Sequence, residues 1–367
     1  MPNSTELNSN RVFGAPLRYI QGPGALNEIG GVASLAGKNA LLVADQFVLD
    51  LIGGAITESC RRSEVSVQTA LFNGEITPAE IERLCSVVSA SPVDVVIAAG
   101  GGKGIDAGKA VSHHLNVEVI TLPTIASNDA PTSKIFVVYA EDHRLLGVQH
   151  MTRNPLAVVV DTGLIAGAPK KLLLAGIGDA ISKKFEVAQC FKAGAKTMYG
   201  ARGTLAANAL AELCYTTLLE SSQGAIEAVE QKQPNASLEA LVEATVLLSG
   251  LCFENGGLSI AHAMTRGLTA IPETAHELHG LQVAYGLLIQ LQLENRSAGF
   301  IRELRQFYAQ TGLPQSLRDL GLEQAATPEQ IKTIATQTLT APYIANFERS
   351  LEPADFVAAI EAVESYV

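Results

Sequence analysis

Apolar and polar residues follow two different patterns along the chain. From residue 11 to about residue 161, short apolar runs of strand length alternate with segments in which apolar residues recur at helical spacing. The apolar runs are 39–44 (NALLVA), 65–72, 93–99 (VDVVIAA), 117–122, 135–139 and 157–160. Strands that alternate with helices of about 10 to 15 residues are typical of βαβ units. This part of the sequence therefore predicts an α/β domain with a parallel, Rossmann-like sheet over residues 11–161.

The pattern changes near Asp161. From Leu164 onward the sequence contains no convincing alternating strand, and apolar residues recur at helical spacing instead. The predicted helical stretches are 170–192, 201–222, 237–253, 279–294, 300–311 and 327–338. We therefore predict an all-α C-terminal domain over residues 162–367, and we expect the polar residues 1–10 to form a disordered tail.

Composition and charge exclude several classes of protein. Of the 367 residues, 47% are hydrophobic and 17% are charged, which is too apolar for an intrinsically disordered chain. The formal charge of −11 argues against nucleic acid as a partner. No uninterrupted apolar run approaches the ~20 residues of a membrane span, and the N-terminus lacks the apolar core of a secretory signal. Five scattered cysteines without a CxxC pair indicate a reducing cytoplasm.

The stretch VDVVIAAGGGKGIDAGKA at 93–110 contains the first candidate site. A buried strand runs into Gly100, Gly101 and Gly102, and a helix begins near Lys103. Glycines let a phosphate approach the backbone closely, and a helix N-terminus offers free N–H groups and partial positive charge. The spacing is neither GxGxxG nor that of a Walker A loop. The motif indicates a pyrophosphate cradle or, alternatively, an ordinary tight turn between strand and helix.

Two other strand ends contain polar candidates. Asp45 could bind the hydroxyls of an adenosine ribose and repel a 2′-phosphate, favouring NAD over NADP, although a helix N-cap is the competing interpretation. The loop 122–133 (LPTIASNDAPTS) follows a later strand, at an edge where open α/β sheets bind ligands. Its Ser127, Asp129 and Ser133 are candidates for the nicotinamide end of a cofactor or for substrate hydroxyls. The same residue types are typical of an ordinary capped loop.

Asp179, His262 and His279 each lie in an apolar or small-residue segment of the helical half. A buried carboxylate needs a partner or a metal, and one carboxylate with two imidazoles is a sensible ligand set for a divalent ion. Their spacing is no local signature, so three separate elements would have to converge. Histidines satisfied inside an apolar core are the alternative. His276 is a further candidate, ranked below His279.

Taken together, these stretches resemble the glycerol dehydrogenase family, within the wider group of metal-dependent alcohol dehydrogenases of the iron-containing type. The resembling segments are RYIQGPGAL at 18–26, LLVADQFVL at 41–49, GGGKGIDAGKA at 100–110, LPTIASNDAPTS at 122–133, NPLAVVVDTGLIAGAP at 154–169, LLAGIGDAISKKFEV at 173–187, FENGGLSIAHA at 253–263, GLTAIPET at 267–274 and HGLQVAYG at 279–286. They occur in family order and cover most of the chain from residue 12 to about residue 295. The resemblance implies the architecture shared by dehydroquinate synthase and these dehydrogenases.

The resemblance also implies an activity, which is NAD-dependent oxidation of a vicinal diol, with glycerol to dihydroxyacetone as the leading case, by zinc-assisted hydride transfer. It implies one Zn²⁺ per subunit on Asp179, His262 and His279. It places Asp129, His262 and His279 against a polyol substrate. The cofactor residues that it implies are Asp45, Gly100, Gly101, Gly102, Lys103, Asp106, Thr124, Ser127, Ser133, Ile135 and Tyr139. A cytoplasmic homo-oligomer, an octamer in this family, completes the expectation.

Departures from the family pattern leave the substrate open. They are Asn128, Thr265-Arg266, Leu281-Gln282 and APYIAN at 341–346. Two carboxylates, Asp129 and Asp179, would balance a dication, so we expect a neutral diol to be preferred over a 2-hydroxy acid. A hydroxycarboxylate dehydrogenase is the alternative, and it would need a cation near the metal, from Lys134 or Arg266. A dehydroquinate-synthase-type lyase and a non-catalytic protein that binds NAD and metal are remoter alternatives.

Overall fold

The computed structural model describes residues 10–88, 92–142 and 144–366. Of the predicted tail, residues 1–9 lie outside the described residues. The predicted fold class is confirmed, because a parallel sheet with helices occupies the N-terminal part and helices make up the C-terminal part.

Contacts divide the chain into two compact units, which we call the sheet unit and the helical unit. The sheet unit is Ala15–Pro169 with Glu227–Gly250, and the helical unit is Lys170–Ile226 with Leu251–Val367 and the described residues before Ala15. This division differs from the predicted domains of 11–161 and 162–367. Residues 227–250, which include most of the predicted helix 237–253, belong to the sheet unit.

Polar contacts show why the segment 227–250 lies in the sheet unit. The Gln21 side-chain amide donates to Glu239 Oε2 at 2.7 Å, and Thr162 Oγ1 donates to Glu239 Oε1 at 2.5 Å. Thr132 Oγ1 donates to the carbonyl of Val246 at 2.6 Å. A pattern of apolar residues locates such a helix along the chain but does not say which sheet or helix its polar side chains will meet.

The strands of the sheet unit are β1 Tyr19–Gly22, β2 Asn39–Ala44, β3 Ser66–Leu71, β4 Val95–Gly100, β5 Glu118–Pro123, β6 Ile135–Tyr139, β7 Leu145–His150 and β8 Ala157–Asp161. Six of them form one parallel sheet in the order β1-β8-β5-β4-β2-β3. Strands β6 and β7 form a separate antiparallel hairpin. All six predicted strands are present, whereas β1 and β7 were not predicted.

The α-helices, in chain order, are α1 Ile29–Ala33, α2 Gln46–Val48, α3 Gly54–Arg62, α4 Pro78–Ser86, α5 Gly102–Leu115, α6 Thr162–Ala166, α7 Lys170–Ala180, α8 Lys183–Ala193, α9 Leu205–Glu230, α10 Ala236–Val242, α11 Ser249–Gly256, α12 Ile260–Leu268, α13 Pro272–Ala275, α14 His279–Leu293, α15 Ala298–Thr311, α16 Pro328–Thr338 and α17 Pro353–Glu364. A π-helical segment, Glu243–Leu248, joins α10 to α11. The predicted helix 170–192 is therefore two helices, α7 and α8, separated by a short turn.

The parallel sheet is buried on both faces. Successive residues of a strand point to opposite faces, so Leu42 and Ile97 pack with Ile29 and Ile56 on one side. The residues between them face α4 and α5 on the other side. Because both faces are covered, the strands β2, β4, β5 and β8 are buried at nearly every position, which is why their sequences read as apolar runs rather than as alternating ones.

One helical run, Ala236–Gly256, is long and apolar enough to cross a membrane by length and composition. In the structure, 67% of its most apolar window is buried inside the protein. Its apolar character is therefore that of a core helix.

All five cysteines are free thiols. Four of them are buried, and Cys85 on α4 is half-buried. Burial raises the pKa of the Cys60 thiol to about 11 and also raises the pKa of Cys85.

In the helical unit, α7 and α14 approach each other until their backbones touch. A Cβ atom on Gly280 would lie 1.8 Å from the carbonyl oxygen of Ala175, and one on Gly178 would lie 2.3 Å from the carbonyl oxygen of Gly280. Only glycine fits at this crossing. The contact brings the end of α7 to the first turn of α14, so Asp179 and His279 become neighbours although 100 residues apart in the chain.

We predict that Gly280→Ala lowers the free energy of unfolding by about 1–3 kcal/mol, because the added methyl group forces α14 away from α7. Gly299→Ala on α15 is the matched control, since its Cβ would meet nothing closer than 4.0 Å. The control is expected to be neutral or up to about 1 kcal/mol more stable. Denaturant unfolding of both variants measures the difference, and equal midpoints would contradict the backbone contact.

Candidate metal and cofactor sites

Asp179, His262 and His279 converge in the helical unit. Asp179 is the second-last residue of α7, His262 lies on α12, and His279 begins α14. One ligand atom from each lies within 4.8 Å of the others. Asp179 Oδ1 is 3.1 Å from His262 Nε2, and the two imidazole rings are 5.5 Å apart between centroids. The structure thus brings together the three elements that the sequence analysis required to meet.

Glu186 on α8 holds His262 from behind. Its Oε2 accepts a hydrogen bond from His262 Nδ1 at 2.6 Å and another from Ser182 Oγ at 2.9 Å. Its Oε1 accepts from the backbone N–H groups of Ser259 and His262 at 2.8 and 3.0 Å. A carboxylate on Nδ1 fixes the ring and leaves Nε2 directed towards Asp179, an arrangement that supports metal-binding histidines in many proteins. Sequence analysis missed Glu186.

Lys183 provides a cation that the sequence analysis also missed. Its side chain is fully buried, and its Nζ donates to Asp179 Oδ1 at 2.7 Å and lies 3.2 Å from His262 Nε2. Of the cations considered from the sequence, Arg266 is exposed and donates to the carbonyl of Thr340, and Lys134 belongs to the sheet unit. The charge balance expected from the sequence, in which Asp129 and Asp179 offset a dication, therefore omitted the positive charge of Lys183.

A signal for Lys183 and Glu186 is present in the sequence. They follow Asp179 at positions i+4 and i+7, which places all three on one face of a continuous helix. Three charged residues on one face of an apolar segment indicate a buried charge network.

The electrostatics of this network favour the protonation states of Asp179 and His279 that metal binding needs. Burial raises the pKa of Asp179, but the Lys183 ammonium and the His262 ring outweigh burial and hold that pKa below its usual range. Partial removal of the ring from water lowers the pKa of His279, although the residue keeps an exposed surface. At neutral pH Asp179 is therefore ionised and His279 is neutral.

His262 differs from His279. Burial lowers its pKa, but the carboxylate of Glu186 outweighs burial and raises it. A second proton on this ring would have to leave Nε2 before that atom could bind a cation.

The donor set fits a divalent metal. One carboxylate oxygen and two imidazole nitrogens are the ligand types and number of a catalytic zinc site that keeps a position open for substrate. The ammonium of Lys183 against two of these donors shows that the pocket accommodates positive charge. His276 is exposed at the end of α13 and is not one of the three converging residues.

The glycine loop of the sheet unit has the geometry of an anion cradle. Gly100 ends β4 with φ at 141°, a conformation that L side chains rarely adopt. Gly101 is the N-cap of α5 and has no side chain to accept from the N–H groups of the first turn. These N–H groups and the positive end of the helix can bind a phosphate. Lys103 pairs with Glu75 at 2.8 Å and lies over the ring of Tyr139.

The loop 122–133 lies beside this cradle. The backbone N–H of Thr124 donates to the carbonyl of Gly100 at 3.1 Å. Lys109, fully buried on α5, donates to the carbonyls of Ala130 and Ile135 and so fastens the far end of the loop. Ser133 Oγ accepts from the same ammonium at 3.4 Å. Lys109 thus links α5 to the loop and to β6, three elements that carry predicted cofactor residues.

Asp106 has one carboxylate oxygen that accepts no hydrogen bond from the described residues. Its Oδ2 accepts from the backbone N–H of Val137 at 3.0 Å, whereas its buried Oδ1 has no hydrogen-bond partner among the described residues. Burial raises the pKa of Asp106 to about 6, despite Lys109 at 3.9 Å. A buried acceptor without a donor fits a ligand N–H group, such as the carboxamide of a nicotinamide.

The remaining candidates have partners within the sheet unit. Asp129 is buried and accepts from Ser249 Oγ at 2.6 Å, and Ser127 Oγ accepts from the side-chain amide of Asn128 at 3.3 Å. Asp45 is the N-cap of α2, where its Oδ1 accepts from the N–H of Val48 at 2.9 Å. The capping interpretation of Asp45 is therefore correct. The capping hydrogen bond uses only Oδ1, so it does not exclude binding of a ligand through Oδ2.

Comparison with known proteins gives one consistent set of relatives. A family model described as iron-containing alcohol dehydrogenase matches residues 20–169. The glycerol dehydrogenase of Escherichia coli O6:H1 is 38% identical over 358 residues, 97% of each chain. The glycolaldehyde reductase of Halobacterium salinarum is 40% identical over 320 residues, 87% of each chain. The solved structure of a probable glycerol dehydrogenase from Sinorhizobium meliloti has a TM-score of 0.90 at 35% identity and covers 97% of this chain and 99% of its own.

We predict that Glu186→Gln weakens Zn²⁺ binding about 10- to 100-fold, because the amide offers His262 Nδ1 a neutral acceptor in place of a carboxylate. Competition with a chelating dye measures the affinity. Glu212→Gln is the control, since Glu212 pairs only at the surface with Lys184 at 2.8 Å. If Glu186→Gln binds the ion as tightly as the parent protein, the carboxylate is not needed to prepare His262.

Proposed function

The chain belongs to the iron-containing alcohol dehydrogenase family and is an NAD-dependent, metal-containing alcohol dehydrogenase, and we propose that its substrate is a vicinal diol. The leading reaction is oxidation of glycerol to dihydroxyacetone, with Zn²⁺ as the metal. The observation that carries this proposal is the convergence of Asp179, His262 and His279 on one point of the helical unit. It is supported by glycerol dehydrogenase relatives that match nearly the whole chain.

Each part of the chain has a role in this reaction. Asp179, His262 and His279 hold the metal, and Glu186 orients His262. When bound, the dication supplies Lewis acidity towards the hydroxyl that is oxidised, and NAD supplies the hydride acceptor.

Three features of the sheet unit would hold the cofactor. The backbone at Gly100–Gly102 and the N-terminus of α5 bind its pyrophosphate. Asp106 would accept a hydrogen bond from the carboxamide. Asp45 would accept hydrogen bonds from the ribose hydroxyls and would disfavour a 2′-phosphate.

A hydroxycarboxylate substrate is the second candidate. The observation that favours it is Lys183, because a buried ammonium beside the metal ligands could compensate the charge of a substrate carboxylate. The neutral diol remains the leading candidate, because relatives named as glycerol dehydrogenases are 36–39% identical over most of the chain.

We also propose that the protein is a cytoplasmic homo-oligomer. Leu145, Leu146 and Val148 on β7 are between 40% and 57% exposed in the single chain, and a subunit contact would cover such side chains.

We predict that glycerol or 1,2-propanediol gives a higher kcat/KM than lactate or 2-hydroxybutyrate, measured by NADH absorbance. If 2-hydroxy acids are the better substrates and Lys183→Met removes that preference, the hydroxycarboxylate assignment replaces the diol.

We predict that removal of the metal with a chelator abolishes turnover and that Zn²⁺ restores it more fully than Fe²⁺ or Mn²⁺. Full activity of a demonstrably metal-free sample would exclude the metal-dependent mechanism.

We predict that the protein prefers NAD over NADP and that Asp45→Ser narrows this preference. Serine is itself a good N-cap, so the exchange removes the charge while α2 keeps its cap. The ratio of kcat/KM values for the two cofactors is the measurement, and the unfolding midpoint verifies that the variant is intact. A parent protein that uses both cofactors equally well would show that Asp45 does not face the ribose.

A further inference from the structure

Lys183 occupies an unusual place beside the proposed metal site. Its Nζ is 2.7 Å from Asp179 Oδ1 and 3.2 Å from His262 Nε2, and it also donates to the carbonyl of Asp179 at 3.2 Å. His262 Nε2 and a carboxylate oxygen of Asp179 are two of the three donors that the metal would use. One ammonium and one dication therefore depend on the same two side chains.

The surroundings give this ammonium a fixed position. The Lys183 side chain has no exposed surface, and the carboxylates of Asp179 and Glu186 are at most 3% exposed. Two buried carboxylates near one imidazole leave excess negative charge, which a buried cation offsets. The first turn of α8 carries both Lys183 and Glu186, so the cation and the carboxylate that supports His262 are held by one element.

We propose that Lys183 is a built-in counter-cation of the metal site, a positioning residue that acts through Asp179 and His262. In the metal-free protein its ammonium holds Asp179 Oδ1 and keeps the ligands assembled. A divalent ion that binds Asp179 and His262 must approach side chains that this ammonium already contacts. Lys183 therefore stabilises the empty site and lowers its affinity for metal. This inference rests on the proposed metal-dependent function.

The experiment compares Lys183→Met with Lys184→Met. Methionine keeps an unbranched side chain, one atom shorter than that of lysine, and removes its charge. Lys184 is the next residue of α8, but its ammonium pairs with Glu212 at 2.8 Å and lies over the ring of Tyr215 at 4.4 Å. Metal-stripped proteins are titrated with Zn²⁺ against a competing dye, and their Tm is measured without and with the ion.

We expect Lys183→Met to bind Zn²⁺ about tenfold more tightly or better than the parent, because a positive charge within a few ångströms of the ion has been removed. Its metal-free Tm should fall below that of the parent, and Zn²⁺ should raise its Tm by more than it raises the parent's. Lys184→Met should match the parent in affinity and in both Tm values. If Lys183 had only a structural role, Lys183→Met would lower the Tm without increasing the affinity for Zn²⁺.

A second variant, Lys183→Gln, keeps a donor to Asp179 but not the charge, and it should also bind Zn²⁺ more tightly. A variant that folds only after Zn²⁺ is added supports the proposal, because the ion then replaces the ammonium. Unchanged or weaker affinity in folded variants overturns it, and so does failure of both variants to fold with or without Zn²⁺. If the parent itself binds no divalent metal, the proposed metal-dependent function fails as well.

Discussion

The buried carboxylate of Asp179 is the constraint on which the helical unit depends. A carboxylate removed from water must be matched by positive charge or by donors, and the structure surrounds this one with Lys183 and His262. To make that match, α7, α8 and α12 must end or begin at the same point. The glycine contact between α7 and α14 adds His279 to the group. The same contacts between helices thus determine both the packing of the helical unit and the geometry of the candidate metal site.

Much of the fold could be predicted because burial on both faces leaves a clear pattern. The strand 39–44 and the strand 135–139 have the bounds that the apolar runs predict. The strand β1 was missed because all four of its residues are only half-buried, and β7 because nearly all of its residues are exposed. The placement of 227–250 was missed because it depends on single polar contacts, such as that of Gln21 with Glu239, which no periodicity encodes.

The candidate metal site was also predicted only in part from the sequence. The resemblance named Asp179, His262 and His279, and the structure brings them together. Lys183 and Glu186 were not predicted, because charged residues in a predicted helix are usually assigned to its solvated face. In the structure both side chains are buried, the Lys183 ammonium against Asp179 and the Glu186 carboxylate against His262. For Asp45, the sequence supported two interpretations, and a carboxylate with one oxygen on an N-cap is compatible with both.

The distribution of thiols has a practical consequence for labelling chemistry. Four of the five cysteines are inaccessible in the native protein, and the remaining one, Cys85, lies on α4 of the sheet unit. A maleimide reagent would therefore react first at a single position, slowly because the thiolate is disfavoured there. A fluorophore attached at that position would belong to the sheet unit, whereas all three proposed metal ligands belong to the helical unit. The native sequence thus already contains a site-selective attachment point for spectroscopy that requires no cysteine to be removed.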